Sequence, residues 1–358
     1  MTQKIAVLGA GAIGSSVGAD LANAGHDVVL IDQWPAHVEA MKEKGLRVVM
    51  TDGELDAPVR AYHLCELSSL NPQLDLVLLA AKSYDTRWMV ELIKPYLEDD
   101  GVVVGMQNGM NDEAIASIVG TGRTLGCVLE LSAEVFTPGL VQRNTTHAST
   151  WLGFGELDGA VTPRLKALEA MMGCVARVSI TTNIRGAKWT KLVNSSMILS
   201  VFGMLGLQSW EATEIPEVFK LSIQVGRETM AVGAALGYRM EPIFGFTAEE
   251  LMGSNDAIVE KLLRAVLGHL GPSARKTRGV VLQDYAKGRH TEADFLTGVV
   301  VQKGKEAGIP TPANAAVQHI NQEIRRGVLK PERANLALVQ QTLKGAWIPA
   351  SRGNDDLL

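Results

Sequence analysis

Lys191, Asn194 and Ser195 stand at positions i, i+3 and i+4 of a predicted helix, so their side chains share one helix face. The helix is predicted over residues 187–205 and is otherwise apolar enough to be buried. Burial lowers the pKa of a lysine toward values useful for proton transfer, and amide and hydroxyl groups beside it can bind a substrate. The alternative is a lysine near a helix end whose ammonium reaches water. The spacing leaves both interpretations open.

A glycine-rich segment near the N-terminus, Gly9-Ala10-Gly11-Ala12-Ile13-Gly14, follows a short apolar stretch and opens a predicted helix. In a dinucleotide site the first glycine permits a tight turn, the second lets the backbone approach a diphosphate, and the third lets the helix pack on the strand. Backbone N–H groups at the helix start then bind the phosphates. The predicted cofactor-binding residues of this segment are Gly9, Gly11, Ala12, Ile13 and Gly14.

Asp32 ends the second predicted strand and indicates which dinucleotide is bound. A carboxylate at this position accepts hydrogen bonds from the adenosine ribose hydroxyls and repels a 2′-phosphate. Residues 33–37 contain no arginine that would bind such a phosphate. We therefore expect NAD(H) as the preferred cofactor. NADP(H) is not excluded, because Lys82 lies near the rim of the same site.

Two further polar residues are candidates for the site. Asn108 follows an apolar strand, at the carboxyl end where ligands bind in parallel sheets. An Asn-Gly turn with Gly109 is the alternative there. Glu292 precedes a predicted helix, and simple capping of that helix is its alternative.

The elements that must position these residues are predicted from the hydrophobic pattern. Apolar strands and helices alternate in the first half of the chain, an order typical of a doubly wound, mostly parallel sheet. The predicted strands are 5–8, 27–31, 74–81, 102–106, 125–131, 139–142, 150–154 and 176–180, and the predicted helices are 13–24, 36–44, 86–97 and 163–172.

The second half of the chain has helical patterns and few strand signals. Its predicted helices are 187–205, 216–236, 256–267, 279–287, 293–307 and 312–326. We predict an α/β Rossmann dinucleotide-binding domain over residues 1–182, an all-α substrate and dimerisation domain over 183–345, and a C-terminal tail over 346–358.

Composition excludes several classes of protein. With 46% hydrophobic and 20% charged residues and a net charge of -5, the chain is neither disordered nor a basic nucleic-acid binder. Its three cysteines form no CxxC pair, and its seven histidines show no metal-ligand spacing, so we expect no metal. No apolar run approaches the ~20 residues of a membrane helix, and no signal peptide is evident. We expect a soluble, cytoplasmic protein.

Several of these motifs together resemble the ketopantoate reductase (2-dehydropantoate 2-reductase) family. The resemblance extends from residue 3 to residue 327. Besides the glycine segment, it rests on Lys82-Ser83-Tyr84-Asp85, Gln107-Asn108-Gly109, Lys188-Trp189-Thr190-Lys191-Leu192, Leu282-Gln283-Asp284, Gly288-Arg289-His290-Thr291-Glu292, Gly298 and Gly308-Ile309-Pro310-Thr311-Pro312.

The resemblance implies a role for each candidate. The lysine matching Lys191 is the family's general acid, which protonates the carbonyl oxygen as hydride arrives from the nicotinamide. The acid matching Glu292 lies close to the reacting hydroxyl. The residues matching Asn108 and Lys82 contact the cofactor, the former also the substrate. The family also implies a helical domain of the 6-phosphogluconate-dehydrogenase-like type, which often forms homodimers.

The sequence departs from the family where the substrate binds. Ser195 and Leu199 replace two asparagines, with Asn194 one residue early, and Val280 replaces a serine. The family's NADP-binding arginine is replaced by Gln33. The segment 238–279 is also longer than usual, as a lid or a dimer arm would be.

We therefore expect an NAD(P)-dependent oxidoreductase that interconverts a carbonyl and a hydroxyl on a small molecule, such as a 2-oxo acid and a 2-hydroxy acid, with Lys191 as the general acid or base. Three alternatives remain. They are a true 2-dehydropantoate 2-reductase of pantothenate synthesis, an opine-type dehydrogenase, and a non-catalytic NAD(H)-binding regulator.

Overall fold

The computed structural model describes residues 3–241 and 277–345, together with Ala257, Glu260, Lys261, Arg264 and Ala265. The predicted tail from residue 346 lies outside the described residues. So do most of the predicted helix 256–267 and most of the long segment 238–279.

The described N-terminal half contains twelve strands of four to nine residues. They are β1 (Lys4–Leu8), β2 (Asp27–Asp32), β3 (Leu46–Val49), β4 (Glu54–Ala57), β5 (Arg60–His63), β6 (Leu74–Leu79), β7 (Leu97–Gly105), β8 (Thr124–Glu130), β9 (Ala133–Thr137), β10 (Leu140–Arg143), β11 (Trp151–Glu156) and β12 (Arg177–Ile180).

The main sheet has eight strands in the order β12-β11-β8-β7-β6-β1-β2-β5. Adjacent strands of this sheet are parallel to each other, except that β8 and β11 are antiparallel. The central strands β1 and β6 are mostly buried because helices cover both faces of the sheet, which explains why they are apolar except for Lys4 and Asp75 near their starts. The predicted Rossmann fold with a mostly parallel sheet is confirmed.

A second sheet of four strands, in the order β4-β3-β10-β9, was not predicted as a sheet. Only β10 was expected as a strand. Residues 46–57 were missed because β3 and β4 have four residues each and alternate between buried and exposed positions, which gives a weak periodic signal. This sheet packs on the helix that follows the glycine segment, with Val48 and Val141 in the same core as Val17.

Helices cover the main sheet and form the C-terminal domain. Numbered along the described chain, they are α1 (Ala12–Asn23), α2 (Pro35–Lys44), α3 (Leu67–Leu70), α4 (Thr86–Ile93), α5 (Asp112–Val119), α6 (Pro163–Met172), α7 (Ile184–Ser195), α8 (Val201–Met204), α9 (Ser209–Thr213), α10 (Pro216–Ala235), α11 (Val280–Ala286), α12 (Thr297–Ala307), α13 (Pro312–Arg325) and α14 (Asn335–Leu343). The predicted all-α C-terminal domain is confirmed. None of the helices in the described ranges has the length and hydrophobicity that crossing a bilayer requires.

The continuous helix predicted over 187–205 is wrong in one respect. After α7, residues Ser196–Ser200 form a π-helical turn, and α8 follows it. The hydroxyls of Ser195 and Ser196 donate to the carbonyls of Lys191 and Val193, at 3.1 and 3.0 Å. Such side-chain bonds compete with the regular helix ladder. The turn changes the direction of the side chains that follow it.

Lys188 on α7 fixes the two domains to each other. Its side chain is 2% exposed, and its ammonium lies 3.1 Å from the Asp112 carboxylate and 3.4 Å from the carbonyls of Gln107 and Cys127. These partners belong to the N-terminal domain, at the ends of β7 and β8 and the start of α5. The buried ion pair therefore sets the position of α7 over the sheet.

Candidate active site

A cleft of about 640 Å³ lies between the two domains, at the carboxyl ends of the central strands. On the helical side it is bounded by α7, the π-helical turn and α11. The structure brings together nearly all of the residues predicted from the sequence, since the cleft is lined by Gly9, Gly11, Ala12, Ile13, Asp32, Lys82, Asn108, Lys191, Asn194, Ser195 and Glu292. Gly14 does not line it.

The glycine segment has the geometry that a diphosphate site needs. Gly9 has a φ of +93°, and a Cβ there would lie 2.6 Å from the Ala81 nitrogen. A Cβ on Gly14 would lie 2.1 Å from the Gly9 carbonyl oxygen, so Gly14 serves the packing of α1. A Cβ on Gly11 would meet nothing within 4 Å. The space beside Gly11 is therefore open to a ligand, and the N–H groups of α1 begin there.

A buried histidine supports this segment from behind. The Nδ1 atom of His37 accepts from the Gly139 N–H at 2.9 Å, so Nε2 carries the proton and donates to the Ser15 hydroxyl at 3.0 Å. The Ser15 hydroxyl donates to the Ala10 carbonyl at 2.7 Å. Burial lowers the pKa of His37 to about 4, which keeps the ring neutral and this network intact at neutral pH.

Asp32 lies at the end of β2, where the adenosine ribose is expected. Burial raises its pKa, although its carboxylate accepts the Trp34 N–H at 2.7 Å. The Trp34 ring lies between the His37 ring, at 5.3 Å between centroids, and the Arg289 guanidinium, at 5.0 Å. The sequence showed no arginine next to Asp32, but the fold supplies Arg289 from the helical domain.

Lys82 forms an ion cluster across the domain boundary. Its ammonium lies 2.6 Å from Asp284 Oδ2 and 3.3 Å from Glu292 Oε2. The other Glu292 oxygen accepts from the N–H and the hydroxyl of Ser83, both at 2.8 Å. Burial alone would lower the pKa of Lys82, but the two carboxylates outweigh it and raise that pKa. The Glu292 side chain makes no cap hydrogen bond to the turn Ala293–Phe295 that follows it, so the capping bond expected there is absent.

Asn108 stands in an Asn-Gly turn and also lines the cleft. Gly109 has a φ of +81°, as the turn interpretation expects. The Asn108 carbonyl accepts from the Asn111 amide at 2.9 Å. This bond stabilises the turn. Asn108 therefore forms an Asn-Gly turn and also lines the cleft, and a structural role and a ligand-binding role are both compatible with its position.

Lys191 lies in the wall of the cleft rather than at a helix end that faces bulk water. Burial lowers the pKa of its ammonium, and the nearby Glu130 carboxylate opposes that effect. Next to it, Asn194 is 3% exposed, and neither its amide nitrogen nor its amide oxygen has a hydrogen-bond partner among the described residues. A buried amide without a partner is costly, so a ligand at this point would gain its hydrogen bonds.

Sequence reasoning identified Leu199 and Val280 as altered substrate positions but missed Glu130 and Ile198. Glu130 ends β8, and the rule that indicated Asn108 would have indicated it too. Ile198, Leu199 and Val280 line the cleft on the helical side. No cluster of three or more metal-ligating side chains occurs in the part of the chain that the structure describes.

Comparisons with known proteins agree with this geometry. Residues 5–156 match the family model "Ketopantoate reductase PanE/ApbA", and residues 183–325 match its C-terminal counterpart. A 2-dehydropantoate 2-reductase of Archaeoglobus fulgidus is 26% identical over 332 residues, covering 91% of this chain and 99% of the relative. One from Mesorhizobium japonicum is 29% identical over 338 residues, covering 88% and 95%.

Solved structures show the same fold. A PanE/ApbA family ketopantoate reductase from Ralstonia eutropha JMP134 has a TM-score of 0.75 at 27% identity, with 91% of this chain and 99% of that chain covered. D-mandelate dehydrogenase, solved with NADH and anilino(oxo)acetate, has a TM-score of 0.77 at 22% identity and the same coverage. The second likeness is evidence for the fold alone.

Proposed function

Since this chain belongs to the ketopantoate reductase PanE/ApbA family, we propose that it is a nicotinamide-dependent reductase of a 2-oxo acid. One observation carries the proposal. A lysine whose pKa is lowered by burial lies beside the partnerless amide of Asn194, in the same cleft as an open glycine segment. A proton donor, a polar binding group and a dinucleotide site are the parts that carbonyl reduction requires.

Lys191 moves the proton in this proposal. When bound, a nicotinamide supplies hydride to the carbonyl carbon or accepts it from the alcohol. The Lys191 ammonium donates its proton to the carbonyl oxygen during reduction, and the neutral amine removes the hydroxyl proton during oxidation. A lowered pKa makes the ammonium a stronger proton donor and the neutral amine easier to form. Glu292 completes the catalytic set by holding Lys82 and Ser83 at the polar edge of the cleft.

We propose a substrate other than ketopantoate. The family's polar positions carry Leu199 and Val280, and Ile198 adds to the same apolar wall. Asn194 and Ser195 provide polar groups for the carboxylate. An apolar wall cannot satisfy a substrate hydroxyl, so the side chain of the 2-oxo acid should itself be apolar.

NAD(H) is the proposed cofactor because the Asp32 carboxylate faces the ribose position. Gln33 adds no cation, and its amide donates to the Asp85 carboxylate at 3.1 Å. NADP(H) is the second candidate, because Arg289 stands over Trp34 beside Asp32 and a 2′-phosphate would attract it. The ratio of kcat/KM for NADH and NADPH decides between the two.

The test is a parallel assay of NADH and NADPH oxidation with a panel of 2-oxo acids that includes ketopantoate. We expect NADH oxidation with apolar 2-oxo acids, and Lys191→Met should lower kcat/KM by about 10²–10⁴-fold. A general acid must be protonated, so the reduction rate should fall as pH rises through the lowered pKa of Lys191. The oxidation rate should rise over the same range, and the variant should lose both dependences.

Other results would point to the rival functions. Full activity in Lys191→Met would remove the mechanism. Efficient NADPH-dependent reduction of ketopantoate would favour a true 2-dehydropantoate 2-reductase. A rate that requires an amine would favour an opine-type dehydrogenase, and tight NADH binding without turnover of any carbonyl would favour a regulator. Lys305→Met, an exposed lysine of the helical domain outside the cleft, is the matched control.

A further inference from the structure

Two cations of the helical domain, Lys287 and Arg289, line the cleft in the segment that follows α11. Lys82, by contrast, is neutralised by Asp284 and Glu292. Among the described residues, no salt bridge joins Lys287 or Arg289 to a carboxylate. Cations that face a cleft without a counter-ion are suited to bind an anionic ligand.

Lys287 lines the same cleft as the glycine segment. Its ammonium lies 4.5 Å from the centroid of Phe136, which belongs to β9. The hairpin of β9 and β10 packs on α1, the helix whose N-terminus begins at the glycine segment. The charges of Lys82 and Arg289 also act on the Lys287 ammonium, so the lysine lies near both of these cations in the cleft.

Arg289 extends the same side toward the adenosine. Its guanidinium lies 5.0 Å over Trp34, which follows Asp32 in the chain. Arg289 also lowers the pKa of Asp32 by its charge, although burial dominates at that carboxyl. Arg289 thus lies near the ribose position at Asp32, and Lys287 lines the same cleft as the open space at Gly11.

We propose that Lys287 and Arg289 bind the diphosphate of the cofactor from the helical-domain side of the cleft. The proposal rests on the dinucleotide part of the proposed function. The N–H groups of α1 bind the phosphates from one side. The two cations bind them from the other, so the two domains share one phosphate site.

The charges around Lys287 predict how this site responds to pH. Burial, together with the charges of Arg289 and Lys82, lowers its pKa to about 8 against the opposing charges of Asp284 and Glu134. A bound phosphate favours the charged ammonium. Above pH 8 the free protein must therefore take up a proton when the cofactor binds, and affinity should fall. Below pH 8 the affinity for the cofactor should not depend on pH.

The test measures dissociation constants, which need no substrate, for NADH, ADP-ribose and adenosine. ADP-ribose keeps the diphosphate and lacks the nicotinamide, whereas adenosine has no phosphate. Lys287→Gln should raise the dissociation constants of NADH and ADP-ribose by about tenfold each. The dissociation constant of adenosine should change by less than about twofold. Arg289→Gln should also weaken the binding of NADH and ADP-ribose. The Arg289→Gln variant should also raise the pH at which the affinity begins to fall, because the charge of Arg289 lowers the pKa of Lys287 in the wild-type protein.

Lys287→Arg is the conservative variant, because arginine keeps its charge at every accessible pH. It should retain the affinity for NADH and lose the fall above pH 8. Lys305→Gln removes one positive charge outside the cleft and should change nothing.

Two outcomes overturn the inference and leave the proposed function standing. In one, wild-type protein binds NADH and Lys287→Gln behaves as Lys305→Gln does. In the other, Lys287→Gln weakens the binding of adenosine as much as that of ADP-ribose, which would show that the lysine does not bind the phosphates. Wild-type protein that binds neither NADH nor NADPH would overturn both proposals.

Discussion

At the glycine segment the N-terminal wall of the cleft presents backbone, whereas the facing helical wall presents side chains. On the first wall, Gly9 and Gly11 leave room and N–H groups for a ligand. On the second, Lys191, Asn194 and Val280 offer an ammonium, an amide and an apolar surface. Where the backbone lines the cleft, a residue larger than glycine would clash or fill the ligand's space, so few substitutions are tolerated there. A wall made of side chains can change its chemistry while the fold stays the same.

Two lysines on α7 show the same contrast within one helix. Lys188 is buried against Asp112 and joins the domains, whereas Lys191, one turn later, lies in the cleft. Burial lowers the pKa of Lys191, so its charge costs folding free energy. One lysine thus stabilises the structure, and the other is maintained at the expense of stability.

The largest expected effect separates these two lysines. Lys188→Met leaves the Asp112 carboxylate buried without its partner and should lower the free energy of unfolding by about 3–5 kcal/mol. Lys191→Met removes a charge that burial disfavours and should be neutral or stabilising. Urea denaturation of both variants measures the difference. Equal losses would show that the two lysines have the same structural role, and Asp112→Leu combined with Lys188→Met should recover much of the loss.

The next effect separates two glycines of the backbone wall. Gly14→Ala places a Cβ 2.1 Å from a backbone oxygen and should cost about 1–3 kcal/mol or more. Gly11→Ala places its Cβ in open space, at a φ of -67° that any residue adopts, and should change stability by less than about 0.5 kcal/mol. Its effect should be on the Kd for NADH, because the methyl group would occupy the ligand's space. A destabilised Gly11→Ala with unchanged Kd would contradict this assignment.

The sequence predicted the fold best where a signal was local and strong. The strands β1 and β6 are apolar over Ile5–Leu8 and Leu76–Leu79, and the glycine segment between β1 and α1 has a fixed spacing. The second sheet was missed because strands such as β3 have few residues and alternate in burial. The π-helical turn Ser196–Ser200 was missed because its apolar pattern does not differ from that of an α-helix.

In the site, residues at strand ends were predictable and contacts between domains were not. Asp32 and Asn108 follow strands, and their positions in the cleft come from that alone. The contact between Lys82 and Glu292 joins residues 210 positions apart, and the stack of Arg289 on Trp34 likewise joins the two domains. No spacing rule reaches over such distances, so the partners of these charges emerge only from the packing of the domains.

The smallest expected effect tests whether the side-chain wall sets substrate choice by itself. Val280→Ser restores the hydroxyl that the family has at this position, and we expect it to raise the ratio of kcat/KM for ketopantoate to that for an apolar 2-oxo acid by about tenfold, near 1.4 kcal/mol. Leu199→Asn should act in the same direction. The Kd for NADH should stay constant, because the glycine segment and Asp32 lie on the other wall. If Val280→Ser changes NADH binding as strongly as it changes the substrate ratio, the two walls are not independent, and the contrast between them fails.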